Sequence, residues 1–379
     1  MDKMIPLSVP NIRGNEIKYV EKALRDEWVS TAGSFITDFE NNIKNYVKSD
    51  YAIACQSGTA GIHLSLLALD INSDNEVIVP TLTFIAAVNP VKYVNAEPIF
   101  MDCDDSLCID TKKLLQFCEE ECNFIDNKLI NKKTNKHIKA IIVVHIFGNM
   151  SNMEEIMDIA NKYNLKVIED ATESLGTFYT KDKYKGKYAG TIGDIGVYSF
   201  NGNKIITTGG GGMVVCNDED LAKKIKYLST QSKDDEIYFI HNEIGYNYRM
   251  TNLQAAVGLA QLEKLEEFIT IKNNNYRLYK HNCIDLLGFN EKCRVNYWFY
   301  SYFTDKRDIL IEELKKFKIQ TRPIWKLIHT LKPYINCQSY KIEKANYYYE
   351  KILNLPCSSN LSSEDILYVC EKIKQIENS

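Results

Sequence analysis

In "YSFNGNKIITTGGGGMVV" (Tyr198–Val215) a single lysine, Lys204, separates an apolar run from four consecutive glycines, Gly209–Gly212. Three other segments carry groups that could work with that amine. "QSGTAGIHL" follows the apolar run "YAIAC" and puts Ser57, Gly58 and Thr59 at a helix start. Unpaired N–H groups there suit a phosphate. "TLTFIAA" follows "EVIVP" and sets Phe84 at a loop tip, while "EDATES" closes the run "KVI" with Asp170, 34 residues before Lys204. Singly, each has an ordinary use: surface lysine, helix-entry glycine, core phenylalanine, N-cap aspartate.

Together they supply what pyridoxal phosphate (PLP) requires. That cofactor needs an amine to condense with its aldehyde, a carboxylate to keep its pyridine nitrogen protonated, an aromatic face and a phosphate cup. Lys204 must be neutral to act, which a cationic neighbourhood and partial desolvation promote. The glycines allow close backbone approach and an immediate start of the next strand. Rival phosphate motifs fail on spacing. No lysine follows the glycines in a GxxxxGK[ST] frame, and a GxGxxG frame begun at Gly209 meets Val214 at its sixth position.

The elements that position these groups are read from periodicity. Seven apolar runs, "YAIAC" (51–55), "EVIVP" (76–80), "EPIFMD" (97–102), "AIIVVHIFG" (140–148), "KVIED" (166–170), "IGVYSF" (195–200) and "GMVVC" (212–216), read as strands covered on both faces. Helical spacing falls between several of them, at Ile62, Leu66 and Leu69 and at Ile156, Ile159 and Ala160. This alternation predicts an α/β fold built on a largely parallel sheet. Ligands of such sheets gather beyond the carboxyl ends of the strands, where all four segments fall. A large α/β domain is expected over 1–250, with a surface hairpin inserted at 123–139. A long connecting helix is expected over 251–282, capped by Thr251 or Asn252, before a smaller α+β domain over 283–379.

Composition narrows the partners. The 379 residues are 45% hydrophobic and 25% charged, with a net charge of −4, so no basic surface for nucleic acid is expected. The opening segment "MDKMIPLSVPNIRG" lacks the apolar run of a signal peptide, and no stretch is apolar enough to span a membrane. Eleven cysteines lie scattered without paired CxxC units. They read as reduced core thiols of a cytoplasmic protein that binds no metal.

Six segments in order, "SGTA", "PTLTFIA", "VIEDATESLG", "GDIGVYSFNGNKIITTGGGGM", "GYNYRMTNLQAA" and "RPIWKLIH", resemble the DegT/DnrJ/EryC1/StrS family of sugar aminotransferases. The similarity runs from about Ile5 to the end of the chain. It looks closest to enzymes of the legionaminic acid and bacillosamine type, which aminate C4 of a nucleotide-linked 4-keto-6-deoxy-N-acetylhexosamine. The resemblance implies an α/β PLP-dependent transferase of fold type I, with a mixed, mostly parallel seven-stranded sheet between helices, acting as a homodimer with shared active sites. It also implies L-glutamate as donor and a UDP- or GDP-linked keto sugar as acceptor, in surface-glycan synthesis.

Carried across residue by residue, the resemblance makes Lys204 the cofactor-bearing amine, Asp170 the partner of the ring nitrogen and Phe84 the stacking ring. Gly58, Thr59, Ala60 and Ser199 would hold the phosphate, with Asn247 of "GYNYR" reaching in from the other subunit. Arg249, Arg322, Lys326 and His329 would meet the anionic nucleotide, and Trp28, Trp325 and Ser30 of "WVSTAG" its flat or polar parts. Two positions depart from the family pattern. Glu173 stands where Gln or His usually lies near the cofactor's phenolic oxygen, and Gly210 stands where "TGEGG" carries Glu. Related dehydratases have histidine in place of Lys204. A sugar dehydratase and a non-catalytic regulator of the same fold are the alternative readings.

Overall fold

The structure, a computed structural model, describes residues 4–235, 237–282 and 284–378. The apolar runs become β1 (Tyr51–Cys55), β2 (Asn75–Pro80) and β3 (Glu97–Met101), then β6 (His137–Val144), β7 (Lys166–Asp170), β9 (Ile195–Ser199) and β10 (Gly212–Cys216). Shorter strands fill the intervals: β4 (Cys122–Ile125), β5 (Lys128–Asn131), β8 (Phe178–Tyr179), β11 (Lys233–Asp235) and β12 (Ile240–His241). The C-terminal part adds β13 (Cys293–Arg294), β14 (Tyr300–Phe303), β15 (Arg322–Pro323), β16 (Ser339–Tyr340) and β17 (Ile352–Leu355).

The main sheet runs β1-β10-β9-β7-β6-β2-β3-β16, so the seven expected strands are contiguous and β16 extends the edge. Strand β10 is antiparallel to both neighbours; the other pairings along this path are parallel. Every residue of β2 is buried, with Val77 and Val79 in one apolar layer and Ile78 in the other. Double coverage of this kind removes any need for polar alternation, which is why these runs are continuously apolar.

The inserted hairpin is shorter than expected. It comprises β4 and β5 only, and residues 137–139 already belong to β6, which pairs with β5 through Leu129↔Ile138. Their polar side chains misled the boundary because this end of β6 sits at the sheet's rim. The expected long helix is two helices, Asn252–Leu262 and Leu265–His281. Thr251 is the cap, in a reciprocal arrangement with Gln254 that stabilises the helix start by about 1 kcal/mol. The break at Glu263 and Lys264 lets the chain change partners. The first helix packs on Glu16–Arg25 and Ser34–Val47, the second on Ser363–Glu377.

Beyond it, β14-β17-β15 form a separate three-stranded antiparallel sheet. The expected domain start at Cys283 lies outside the described residues. The N-terminal segment laces this region to the main sheet: Ile5 bridges Ile319, Val9 N–H donates to Ser358 Oγ at 2.9 Å, and Ser8 Oγ reaches the carbonyl of Asn203 at 3.4 Å. Among the described residues ten cysteines are unpaired, eight of them buried. Burial pushes thiols such as Cys55 up to about 12, which leaves them inert. Among the described residues no helix is long and apolar enough to cross a membrane, and no cluster of ligands could hold a metal ion.

Candidate active site

The ends of β1, β2, β7 and β9 open on one cavity of about 770 Å³. After β1 the chain turns at Ser57, whose extended backbone lets its hydroxyl accept the Ala60 N–H at 3.1 Å and cap the helix Gly58–Ala68. The N–H groups of Gly58 and Thr59 have no intrahelical acceptor and sit at the positive end of the helix dipole. A Cβ on Gly58 would lie 2.9 Å from Thr172 and 3.0 Å from Ser199, so only glycine lets the helix start pack this closely on the ends of β7 and β9. These groups form a phosphate-sized cup.

After β7 come the two carboxylates. Asp170 is buried and lines the cavity, with Thr172 N–H donating to its Oδ1 at 3.0 Å. Burial raises its carboxyl, while the Thr172 bonds and the nearby Lys204 charge act the other way. Burial pushes Glu173 up to about 7, against the pull of Lys204 and of the Phe147 N–H, which donates to Oε2 at 2.7 Å. Phe147 adopts the left-handed conformation (φ 56°) that aims this N–H inward.

After β9 the loop turns so that Lys204 N–H donates to the Asn201 carbonyl at 3.0 Å. Its Nζ lies 3.7 Å from Glu173 Oε1 and 4.2 Å from the centre of the Trp298 ring. The glycine run then brings β10 beside the helix cap, where a Cβ on Gly212 would come within 2.5 Å of the Ser57 backbone. Gly210 is different. Its nearest neighbour, Gln254 Nε2, would be 3.9 Å from a Cβ, so that position has room for a side chain.

The cavity gathers Gly58, Thr59, Phe84, Asp170, Glu173, Ser199, Lys204, Arg322, Trp325 and Lys326 from the expected set. Phe84 is half exposed, with its ring centre 6.0 Å from that of Trp325. Other expected residues lie elsewhere. Ala60 has its N–H taken by Ser57 and is not a lining residue. Arg249 is paired with Glu40 and also bonds the Ala54 carbonyl, because a cation sunk this far needs a carboxylate. It is therefore not a free cation for a nucleotide. His329 is hydrogen-bonded to Thr81 at 2.6 Å and does not line the cavity. Trp28 and Ser30 bond Asn252 through their carbonyls, away from the cavity. Asn247 is exposed and bridges Thr230.

Periodicity and motif spacing did not point to Trp298, Asn296 or Phe147. Trp298 and Asn296 lie in "NYWFY", an aromatic stretch that reads as plain core, and only tertiary packing brings them to Lys204. Trp298 Nε1 donates to the Asn203 carbonyl at 2.8 Å, and its own backbone N–H donates to Asn296 Oδ1 at 3.0 Å.

These residues fit PLP. An amine, a buried carboxylate, an aromatic side chain and unpartnered helix-start N–H groups line a single cavity, with glycine where a Cβ would fill the cup. Comparison with known proteins agrees. Residues 10–374 match the DegT/DnrJ/EryC1/StrS aminotransferase family. The GDP-perosamine synthase of Escherichia coli O157:H7 is 40% identical over 382 residues, covering 98% of each chain. The protein of that name from Caulobacter vibrioides is 36% identical over 384 residues, again 98% of each. Spr1654 from Streptococcus pneumoniae, solved in a PLP form, shares the fold with a TM-score of 0.89 at 23% identity over 99% of both chains. The chain thus belongs to the DegT/DnrJ/EryC1/StrS family of PLP-dependent sugar aminotransferases.

Proposed function

We propose that the protein moves the amino group of L-glutamate onto C4 of a GDP-linked 4-keto-6-deoxyhexose. The observation that carries this reading is the meeting of Lys204, Asp170 and the Gly58 helix start in a cavity that also holds Arg322 and Lys326. PLP, when bound, supplies the aldehyde that receives the amino group and a ring that draws electrons from the reacting carbon. Lys204 Nζ is the base that takes the proton from the glutamate α-carbon. Asp170 keeps a proton on the ring nitrogen, and its burial strengthens that pairing. The Gly58 and Thr59 N–H groups and Ser199 hold the phosphate, with Phe84 covering the ring. Arg322 and Lys326 meet the sugar's diphosphate, and Trp325 offers a flat apolar surface.

Motif resemblance alone points to an N-acetylhexosamine of the legionaminic acid or bacillosamine type. Identities of 40% and 36% to proteins named GDP-perosamine synthase favour the guanine nucleotide and a hexose without the acetamido group. The new amine is equatorial in this reading. A second copy of the chain completes the site through Asn247. Support comes from the apolar patch beside it, where Ile237, Tyr238 and Ile244 are each more than three-quarters exposed. Incubation with PLP, glutamate and a panel of GDP- and UDP-linked keto sugars, followed by mass spectrometry, tests the substrate. Amination of the GDP-linked 4-keto-6-deoxyhexose is expected. Turnover confined to UDP-linked N-acetylhexosamines would overturn the nucleotide assignment while leaving the aminotransferase class.

A further inference from the structure

On the helix that opens at the phosphate cup, the Nε2 atom of His63 is buried without a hydrogen-bond partner. His63 lies on the second turn of Gly58–Ala68 and is 4% exposed. Burial lowers its pKa, so the ring is neutral. Three tyrosines surround it. The rings of Tyr93 and Tyr246 meet it edge to face, at 5.5 and 5.0 Å between centres. Tyr248 lies at 5.9 Å, with its hydroxyl 3.3 Å from Nδ1. An unpaired buried nitrogen costs stability, so the fold alone does not account for a histidine here. Tyr246 and Tyr248 stack on each other at 5.0 Å and flank Asn247 in the sequence. Their backbone is tied down on both edges. Tyr246 N–H donates to the Leu228 carbonyl at 2.7 Å and Tyr248 N–H to that of Ser229 at 3.0 Å. The Tyr248 carbonyl accepts from Gln56 N–H at 2.8 Å, next to the Ser57 cap. Between the two anchored tyrosines Asn247 is exposed, and among the described residues nothing bonds its side-chain amide.

We infer that His63 is a positioning residue for the second copy's cofactor site: standing between its own helix and the two tyrosines, the imidazole sets the direction in which Asn247 leaves the chain. This rests on the reading above, in which Asn247 completes the site of another copy. The backbone bonds fix the register of the segment. They do not fix its separation from the helix, which the imidazole occupies as a flat spacer tied to the Tyr248 hydroxyl. Deleting a ring from a packed site leaves a void into which the neighbours relax only in part. The stacked tyrosines would move into it and carry Asn247 with them. The helix start ahead of His63 serves one site, whereas the segment His63 braces serves the other. Substitution of His63 should therefore harm the partner's site and spare its own.

The test uses dimers of the full chain, read by PLP titration with borohydride fixation on the Lys204 peptide rather than by turnover. His63→Ala and Asn247→Ala homodimers should each bind PLP roughly tenfold more weakly than wild type, about the loss of one hydrogen bond to the phosphate. His63→Leu replaces the alanine variant if that one fails to assemble. Each variant chain is then paired, through two affinity tags, with a Lys204→Ala chain. The only fixable cofactor in such a hybrid lies in the variant chain's own site, which takes Asn247 from an intact partner. Both hybrids should fix PLP at wild-type concentrations. A His63 hybrid as weak as its homodimer, with the Asn247 hybrid restored, would overturn the inference alone, because His63 would then act on its own helix start. Wild-type affinity in the His63 homodimer would overturn it likewise. An Asn247 hybrid as weak as its homodimer, or an Asn247→Ala homodimer without loss, would defeat the cross-subunit reading and the inference with it.

Discussion

Asn296 and Trp298 share one hydrogen bond, from the Trp298 N–H to Asn296 Oδ1 at 3.0 Å, and the same buried amide also bonds the backbone carbonyl of Glu173. The Asn296 Nδ2 group donates to the carbonyls of Glu173 and Leu175 at 2.8 and 3.0 Å. The backbone that carries Glu173 on one side of the amine and the backbone that carries Trp298 on the other are therefore tied to the same side chain.

Asn296→Ala leaves those three buried backbone groups without their partner. The expected loss is about 3 kcal/mol of unfolding free energy in the PLP-free protein. Urea denaturation measures it, and a midpoint within error of wild type would contradict this account of Asn296.

Asp170→Asn should retain PLP, because the phosphate cup and Lys204 are untouched, yet lose turnover. An amide cannot hold the ring proton, and losing a buried electrostatic partner of this kind costs on the order of 10²-fold or more in rate. Absorbance reads cofactor content and a coupled glutamate assay reads rate. Near-normal turnover would count against the role of Asp170.

Lys326→Ala should separate the two substrates. Lys326 is exposed on the segment that lines the cavity beside Trp325. A lost charge-assisted contact to a diphosphate corresponds to roughly a tenfold rise in KM for the sugar nucleotide. The glutamate half-reaction, measured alone by rapid mixing, should be unchanged. Equal damage to both half-reactions would mean that Lys326 acts on the fold or on the cofactor instead.

Glu173 also makes stability depend on pH. Burial lifts its folded-state value to about 7, whereas an unfolded glutamate titrates near ~4.3. Between those values the folded chain binds more protons than the unfolded one, so stability falls as pH rises and the loss is complete above about 7. Relative to wild type, PLP-free Glu173→Gln should gain nothing at about pH 4 and on the order of 3 kcal/mol at about pH 8. Denaturation at the two pH values checks the sign. A constant difference would show that Glu173 does not titrate in this window.

The strands were legible because burial on both faces writes itself into sequence as unbroken Val and Ile runs. For β1, β7 and β10 the expected bounds match the observed ones to the residue. Lys204, Asp170 and Gly58 were legible because each ends or follows such a run. Trp298 and Asn296 were not, since they reach the amine from a part of the chain whose packing no local period encodes. Arg249 was misread for the complementary reason. Its charge is visible in the sequence, but its partner Glu40, more than 200 residues away, is not. The break at Glu263 and Lys264 escaped notice because helical spacing continues through both helices.

The central claim is that Lys204 carries the cofactor. Borohydride reduction of the PLP-loaded protein, followed by proteolysis and mass spectrometry, tests it directly. The account predicts a phosphopyridoxyl group on the peptide containing Lys204, and no fixed cofactor and no turnover in Lys204→Ala. Reduced cofactor on a different lysine, with Lys204→Ala still active, would contradict it.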